Sequence, residues 1–315
     1  MARLERCALL CLALLFVIAG CRGIASDTQQ VGVTPVDRSS SVPQVGHIAL
    51  VVFENQQEDM TLGNAHMPWL TSLARQNAYA ANYFANVHPS LGNYFFLTTG
   101  QVISNDLNFA GVVDVPNLVR SIIASGKSWK AYEESIPSVG YLGDGPLPYV
   151  KTHNPAAYLS DVRNDPAQAA KMVPLDQLQT DMAAGNLPQF MFVEPNQVNT
   201  MHDCPSSNPG CNNDDKLAVG DAWAQQHLGA LLNNPTFQQD GLLIITWDES
   251  WDTDSRNGGG HVLTILVGTK VKKQFVSNTF YQHPSVLRVI SDSMRLTAPA
   301  SAGTAPNMAE FFNGN

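Results

Sequence analysis

The stretch HIALVVFEN, residues 47–55, is an unbroken apolar run that ends in Glu54 and Asn55. Such a run is typical of a strand that is buried on both faces, as in a parallel sheet. Two further runs have the same form, QFMFVEPN at 189–196 and GLLIITWDES at 241–250. Separated by helical segments, they predict an α/β protein with a mostly parallel sheet.

The segments between these runs complete the predicted order of elements. We expect helices at 67–76, from about 91, and at 115–126, 175–185, 214–234 and 283–294, with further strands at 128–134 and 261–268. The stretch 135–170 is rich in loops. No repeat or break in composition divides residues 46–315, so we expect one domain there.

The first 20 residues have the form of an export signal. Arg3 and Arg6 precede the apolar run CALLCLALLFVIAG, which is shorter than the about 20 residues of a membrane-spanning helix. The ending IAGC resembles the bacterial lipoprotein box, in which the cysteine, here Cys21, is lipidated. Plain secretion is the alternative. Residues 21–45, rich in Ser, Thr, Gln and Pro, predict a flexible tether.

Composition limits the partners and the compartment. The formal net charge of -9 argues against a nucleic-acid partner. Outside the signal segment and Cys21, the cysteines are Cys204 and Cys211. In an oxidising envelope these two are expected to form a disulfide, with a metal pair as the alternative.

Carboxylates follow the first and the last of the three apolar runs. Glu54 and Asn55 end one run, and Asp248 and Glu249 end another. The carboxyl ends of parallel strands lie at one edge of a sheet, where ligands bind. Three carboxylates there would repel one another unless a cation lay between them. We therefore expect an oxygen-rich metal site, against the alternative of strand-end acids that face solvent.

Ser90 lies in VHPSLGNYFFLTTG, residues 87–100, just before a helix-compatible run. A serine at this place is most often an N-cap, but a helix N-terminus also binds phosphate. Serine needs a base or a metal to become a nucleophile, and the expected metal site would supply one. We predict that Ser90 is both cap and nucleophile. Asn93 could donate to a phosphoryl oxygen, or be a simple polar residue of the first turn.

Three histidines stand in recognisable local patterns. His153 lies in KTHNP, His202 precedes Asp203 in NTMHDC, and His261 follows NGGG. Each alone is equally well explained as a structural or solvated residue. The chain has no GxSxG elbow and no HExxH motif, which argues against an α/β-hydrolase and a zinc protease.

Five motifs, taken in order, resemble those of a bacterial phosphoesterase family. They are VVFENQQ, HPSLGNYFFLTTG, KTHNP, FVEPNQVNTMHDC, and LLIITWDES followed by GGGHVLTILVG. That family groups acid phosphatases with phospholipases C, and the resemblance covers most of 47–290. It implies an alkaline-phosphatase-like fold for 46–315, a three-layer sandwich with a mostly parallel central sheet.

The resemblance also implies roles for individual residues. One divalent metal ion would be held by Glu54, Asn55, Ser90, Asp248 and Glu249. Ser90 would be the phosphorylated nucleophile, and His202 and His261 would be catalytic. The substrate would contact Asn93, His153, Asn196 and Asp203. Two-metal relatives in the wider superfamily carry an aspartate where this chain has Asn196, so we expect a single metal ion.

The expected function is therefore that of a metal-dependent phosphoric-ester hydrolase with a phosphoserine intermediate. An acid phosphatase of the cell envelope is the favoured form, and a phospholipase C-type phosphodiesterase is the alternative. A non-catalytic envelope-binding lipoprotein is a third hypothesis. The substrate would be a small phosphate ester or a phospholipid head group, and the lipid at Cys21 would contact the membrane.

Overall fold

The computed structural model describes residues 41–314. Eight strands form the central sheet: β1 (His47–Phe53), β2 (Ala78–Ala80), β4 (Trp129–Glu133), β5 (Met172–Pro174), β6 (Phe190–Glu194), β7 (Gly241–Trp247), β8 (Thr264–Gly268) and β9 (Phe275–Ser277). Their order is β5-β4-β6-β1-β7-β8-β2-β9. A separate pair is formed by β3 (Tyr83–Phe84) and β10 (Tyr281–Gln282).

Helices surround the sheet. They are α1 (Glu58–Thr61), α2 (Pro68–Gln76), α3 (Leu91–Thr99), α4 (Leu118–Ala124), α5 (Ser160–Arg163), α6 (Pro166–Ala169), α7 (Asp176–Ala184), α8 (Asn213–Leu232), α9 (Pro235–Asp240) and α10 (His283–Ser293). Short 3-10 helices add Lys151–His153, Pro155–Tyr158, Ala300–Gly303 and Ala309–Phe311. Among residues 41–314, no helix combines the length and apolar character needed to cross a membrane.

The central strands run in one direction. β1 lies between β6 and β7 and is parallel to both, with Val51 in register with Val193 and Ile245. Among the eight described strands of this sheet, only β8 breaks the parallel order, because it runs antiparallel to β7 and to β2. The predicted α/β class with a mostly parallel sheet is confirmed. The polar residues that follow β1, β6 and β7 therefore meet at one edge.

The packing of the apolar runs fixes the position of this edge. All seven residues of β7 are buried, as are the last six of β1. Phe53 stacks on Trp247 with ring centroids 5.2 Å apart, and Trp223 meets Phe53 edge-on at 5.9 Å. Full burial of one such side chain contributes about 1.5–3 kcal/mol, so the strand ends are firmly held.

The N-terminal boundary of the packed domain differs from the prediction. Val42 and Val45 are buried, and the Val45 N–H donates to the Ser293 carbonyl at 3.3 Å. The domain thus begins by residue 42, inside the predicted tether. The predicted signal segment, residues 1–20, and the lipidation site Cys21 lie outside the described residues.

Candidate active site

Ser90 occupies the N-cap position of α3 and is 5% exposed. Its hydroxyl makes no capping hydrogen bond. Instead, Ser90 Oγ lies 2.7 Å from Glu54 Oε1 and 3.1 Å from Glu249 Oε1. The predicted position at the helix start is confirmed, but the predicted capping by the side chain is wrong. The hydroxyl is directed at two carboxylates, which are acceptors for its proton.

The backbone before Ser90 is held by Asn93. Its Oδ1 accepts from the N–H groups of Asn86 (3.0 Å) and Val87 (3.2 Å), and its Nδ2 donates to the Val87 carbonyl at 2.7 Å. Asn93 is fully buried. Both ends of the amide bind backbone, and the predicted contact with a phosphoryl oxygen stays a prediction. Asn93 fixes the loop that carries the serine.

The NGGG motif packs against the same loop. Gly259 N–H donates to the Ala85 carbonyl at 3.2 Å. Gly258 has a φ of 109°, and a Cβ there would overlap the Asn86 carbonyl. Only glycine combines this backbone conformation with so close an approach. The NGGG motif, whose Gly258 lies 168 residues after Ser90 in the sequence, therefore helps to hold the loop that positions Ser90.

Within residues 41–314, two carboxylates each keep one oxygen without a hydrogen-bond partner. Glu54 Oε1 is taken by Ser90 and by His153 Nε2 at 2.7 Å, whereas Oε2 has no hydrogen bond. Asp248 Oδ1 accepts from the N–H groups of Asn55 (3.2 Å) and Glu249 (2.6 Å), whereas Oδ2 has none. Buried polar atoms in proteins rarely lack a hydrogen-bond partner. An oxygen-rich cluster with free carboxylate oxygens fits a hard divalent cation.

Asn55 joins this cluster through its backbone conformation. Its φ is 54°, in the left-handed region that asparagine tolerates better than most residues. This turn at the end of β1 points the Asn55 N–H at Asp248 and leaves the side chain on the wall of a cavity. Asparagine here is thus explained locally, and its side chain is placed where a ligand is expected.

The charges of the cluster are unbalanced. Burial raises the pKa of Asp248 well above its ordinary value, and repulsion by Glu54 and Glu249 adds to this. Burial also raises the pKa of Glu249, although the His88 hydrogen bond opposes it. Burial also favours a higher pKa for Glu54. The contacts with His153, the charge of His202 and the Ser90 hydrogen bond outweigh burial, so the pKa of Glu54 lies below its ordinary value. A cation would relieve the repulsion that remains.

His88 is a site residue that sequence reasoning missed. Its Nδ1 lies 2.8 Å from Glu249 Oε2, and its Nε2 lies 3.1 Å from the Asp254 carbonyl. The Glu249 hydrogen bond raises the His88 pKa, as does the Asp254 contact, against burial. His88, Glu249 and Asp252 offer three possible metal-ligand atoms within 4.8 Å of one another, although the Asp252 side chain is 91% exposed. His88 thus orients the second oxygen of Glu249.

His153 reaches Glu54 from the buried side. The ring is 3% exposed and stacks on Tyr94 with centroids 4.9 Å apart. Behind it lies Glu194, the last residue of β6, which sequence reasoning also missed. Tyr94 Oη donates to Glu194 Oε1 at 2.8 Å, and His153 Nδ1 lies 3.5 Å from the same oxygen. The structure brings His153 to the cluster, but through Glu54.

His202 and Asp203 lie on the open side of the cluster. His202 Nδ1 is 2.7 Å from Asp203 Oδ1, and both side chains are partly exposed. His202 lines a cavity of about 470 Å³ together with Asn55, Lys216 and Trp251. His202 therefore lines the cavity, and its charge is one of the causes that lower the pKa of Glu54.

Sequence comparison identifies the chain. Residues 51–297 match the Phosphoesterase family. The chain belongs to this family. The phosphoesterase is 30% identical, over 276 residues, to the phosphatidylinositol-3-phosphatase of Mycobacterium tuberculosis, an alignment that covers 87% of this chain and 85% of the relative. It is 29% identical, over 234 residues, to the phosphate-repressible acid phosphatase of Penicillium chrysogenum, covering 70% of this chain and 53% of that one.

The phosphoesterase therefore spans about half the length of the fungal acid phosphatases that it matches. Its fold is similar to that of the lipoteichoic acid synthase LtaP of Listeria monocytogenes, with a TM-score of 0.63 at 10% identity, covering 88% of this chain and 78% of the other. An alkaline phosphatase superfamily protein of Vibrio parahaemolyticus gives 0.58 at 10% identity, covering 84% and 70%. The expected alkaline-phosphatase-like fold is confirmed, and the chain is a phosphoric-ester hydrolase.

Two predicted residues of the phosphoesterase have other contacts. Asn196 Oδ1 accepts from the N–H groups of Val198 and Asn199, both at 3.1 Å, and its Nδ2 donates to Ser135. The amide thus closes a turn, and its predicted substrate contact stays a prediction. The His261 ring stacks on Phe84 and its Nε2 lies 3.1 Å from the Ala81 carbonyl. Its catalytic role stays a prediction.

The disulfide of the phosphoesterase is present as expected. Cys204 and Cys211 are bonded, with Cα atoms 5.6 Å apart. The closed loop connects the segment of His202 and Asp203 to the start of α8, and Cys211 lines the cavity. The cross-link thus borders the open side of the site.

Proposed function

We propose that this phosphoesterase is a metal-dependent phosphomonoesterase of the acid phosphatase type, in which Ser90 accepts the phosphoryl group. The observation that carries the proposal is the Ser90 hydroxyl, which lies between Glu54 and Glu249 instead of capping its own helix. A serine placed in this way has a proton acceptor on each side. It also lies at the N-terminus of α3, where the helix dipole favours a phosphate group.

One divalent cation fits the carboxylate cluster. Glu54, Asp248 and Glu249 would bind it with Ser90 and Asn55, using the free oxygens of Glu54 and Asp248. When bound, such a cation acts as a Lewis acid that stabilises negative charge on the transferring group and lowers the pKa of the nucleophile. The amide at Asn196, in place of the aspartate of two-metal relatives, supports a single cation.

The side chains of the site divide the proton transfers. As Ser90 Oγ bonds to phosphorus, its proton passes to a neighbouring carboxylate, Glu54 or Glu249. The ester P–O bond breaks, and His202, oriented by Asp203, gives a proton to the leaving oxygen to form the alcohol. A water molecule then attacks the phosphoserine, loses a proton to His202, and releases phosphate while Ser90 regains its own proton.

The names of the relatives favour a monoester as the substrate. The mycobacterial protein is called a phosphatidylinositol-3-phosphatase, and the fungal relatives are called acid phosphatases. Each of these names describes removal of a phosphate group. We therefore retain a small phosphate ester or a phosphorylated lipid head group as the substrate class, and a phospholipase C-type diester as the alternative outcome.

We further propose that the enzyme is exported and works at the cell envelope, anchored by lipid at Cys21. The signal-like start of the chain supports this location, and the Cys204–Cys211 disulfide is consistent with an oxidising compartment. Incorporation of labelled palmitate by cells that express the full chain, and its loss in Cys21→Ser, is the expected result. Equal labelling of both proteins would contradict the anchor.

Hydrolysis of two chromogenic esters tests the proposed activity. We expect p-nitrophenyl phosphate to be hydrolysed faster than p-nitrophenylphosphorylcholine over pH 4–9. A chelator should abolish the reaction, and a divalent metal salt should restore it. Faster turnover of the diester would establish the alternative, and full activity in chelator would contradict metal dependence.

A further inference from the structure

Glu194 is a buried carboxyl that the proposed chemistry does not use. It is 2% exposed and ends β6, the neighbour of β1 from which Glu54 projects. Tyr94 Oη donates to its Oε1 at 2.8 Å, and Oε2 has no hydrogen-bond partner among residues 41–314. A carboxyl this deep, with neither Lys nor Arg among its ion pairs in the described part of the chain and one oxygen unbonded, requires a reason.

Glu194 lies next to the ring of His153. His153 has two ring nitrogens on opposite sides: Nε2 lies 2.7 Å from Glu54 Oε1, and Nδ1 lies 3.5 Å from Glu194 Oε1. Tyr94 stacks on the ring with an interplanar angle of 13°, which fixes the plane of the imidazole. The ring turns about its Cβ–Cγ bond, and stacking on Tyr94 opposes this rotation at its face. Glu194 acts on the ring in two ways, because it accepts from the Tyr94 hydroxyl and lies 3.5 Å from Nδ1, an ionic contact longer than a hydrogen bond.

The rotation matters because of Glu54. A carboxylate oxygen accepts hydrogen bonds, so the Nε2 that faces Glu54 Oε1 must carry a hydrogen. With Oε1 engaged by His153 and Ser90, Oε2 is the oxygen of Glu54 that remains for a cation. A ring rotated out of line would release Glu54 to turn about its last bond, and the ligand oxygen would lose its fixed direction.

We propose that Glu194, held by Tyr94, is a positioning residue that sets the His153 ring and through it the metal-binding oxygen of Glu54. The inference rests on the proposed function, since it takes Glu54 to be a metal ligand. Partners of this kind, one step behind the ligands, typically change metal affinity 10- to 100-fold when they are removed.

The chain supplies a matched control in Glu133. This residue pairs in register with Glu194 across β4 and β6 and is 1% exposed. Burial raises its pKa, as it does that of Glu194, to which repulsion by Glu133 adds. No hydrogen bond or ion pair of the described residues joins the Glu133 side chain to His153. Glu133→Leu therefore removes an equally buried carboxyl that lacks the proposed role.

The test is an isothermal calorimetric titration of Mn²⁺ into the protein from which a chelator has removed bound metal. We expect Glu194→Leu to raise the dissociation constant of Mn²⁺ at least about tenfold, and Tyr94→Phe to raise it by a smaller factor. Glu194→Gln, which still accepts from Tyr94, should restore affinity to near that of the wild type. Glu133→Leu should bind Mn²⁺ like the wild type. Circular dichroism checks that each variant is folded.

Several results would overturn the inference. An unchanged dissociation constant in Glu194→Leu would do so, as would an equal loss in Glu133→Leu, because that would indicate a general effect of the core. If Glu194→Leu does not fold, Tyr94→Phe decides, and wild-type affinity there contradicts the role. Failure of the wild type itself to bind Mn²⁺ would instead contradict the proposed function on which the inference rests.

Discussion

The two oxygens of Glu54 have different surroundings, and the same is true of Asp248. In each carboxylate one oxygen accepts two hydrogen bonds, and the other has no partner in the part of the chain that the structure describes. The bonded oxygen fixes the rotation of the group, so the free oxygen has a set direction before any cation arrives. This arrangement reduces the reorganisation that metal binding would need.

Asp248→Asn tests the ligand role of the free oxygen. The amide keeps the size of the side chain and an oxygen for the Asn55 and Glu249 N–H groups, but it removes the charge. We expect metal affinity to fall at least about tenfold and kcat/KM to fall at least about 100-fold. Calorimetry with Mn²⁺ and initial rates with p-nitrophenyl phosphate measure these effects. Asp240→Asn, at the opposite end of β7, is the control, and an Asp248→Asn protein with wild-type affinity would refute the ligand role.

Single residues differ in how well the sequence predicts them. Glu54 and Asp248 could be found because each follows an unbroken apolar run. His88 and Glu194 could not, although His88 lies two residues before Ser90 and Glu194 is the last residue of β6. Their roles depend on contacts with Glu249 and His153, which are distant in sequence and are set only by packing.

At the scale of elements, α7 is attached to the sheet by Asp181. This residue is 5% exposed and accepts hydrogen bonds from Lys130 Nζ (2.5 Å), Tyr132 Oη (2.6 Å) and Gln177 Nε2 (3.0 Å). Burial raises the pKa of Asp181, but these donors lower it by more, so the pKa lies below its ordinary value. The ionised carboxylate therefore stabilises the folded state.

Asp181→Asn is expected to lower the free energy of unfolding by about 1–3 kcal/mol at pH 7. The contribution of the carboxylate is fully present above the unfolded pKa of about 3.9 and is lost as pH falls through the lower folded pKa. The gap between wild type and variant should therefore narrow toward pH 3. Urea unfolding at pH 7 and pH 3 measures it. A gap that stays constant would show that the charge of Asp181 is not the cause.

The elements themselves were predictable in proportion to their length. The long runs of β1, β6 and β7 and the helices α8 and α10 have patterns that sequence shows. Strands β2, β3, β5, β9 and β10 have two or three residues each, too few for a period to be visible. Their positions are fixed by pairing with other strands, such as β2 between β8 and β9.

At the scale of the whole molecule, the disulfide closes a short loop beside the cavity. In the chain-entropy description, a loop of eight residues contributes about 2–3 kcal/mol. Cys204→Ser with Cys211→Ser should therefore lower the melting temperature, measured by calorimetry. Reductant should lower the melting temperature of the wild type by a similar amount and leave the double variant unchanged. A wild type that is insensitive to complete reduction would contradict the stabilising role.

The order of motifs along the whole chain predicted the family correctly, and the sheet topology brings the distant strand ends that carry the predicted site together. Ser90 bonds to residues 36 and 159 positions away. What the order of motifs could not show is how Asn93 and Asn196 use their amides. Both bind nearby backbone in the folded chain, and this choice depends on loop geometry.

Phosphorylation of Ser90 during turnover is the most direct measure of its proposed role as the nucleophile. The enzyme would be mixed with p-nitrophenyl phosphate, quenched in acid within milliseconds, digested and examined by mass spectrometry. We predict a phosphate on the peptide that contains Ser90. Ser90→Ala should fold as the wild type does, carry no phosphate and lose at least about 10³-fold in kcat. A phosphate on another serine or threonine, or an active Ser90→Ala enzyme, would contradict the role of Ser90 as nucleophile.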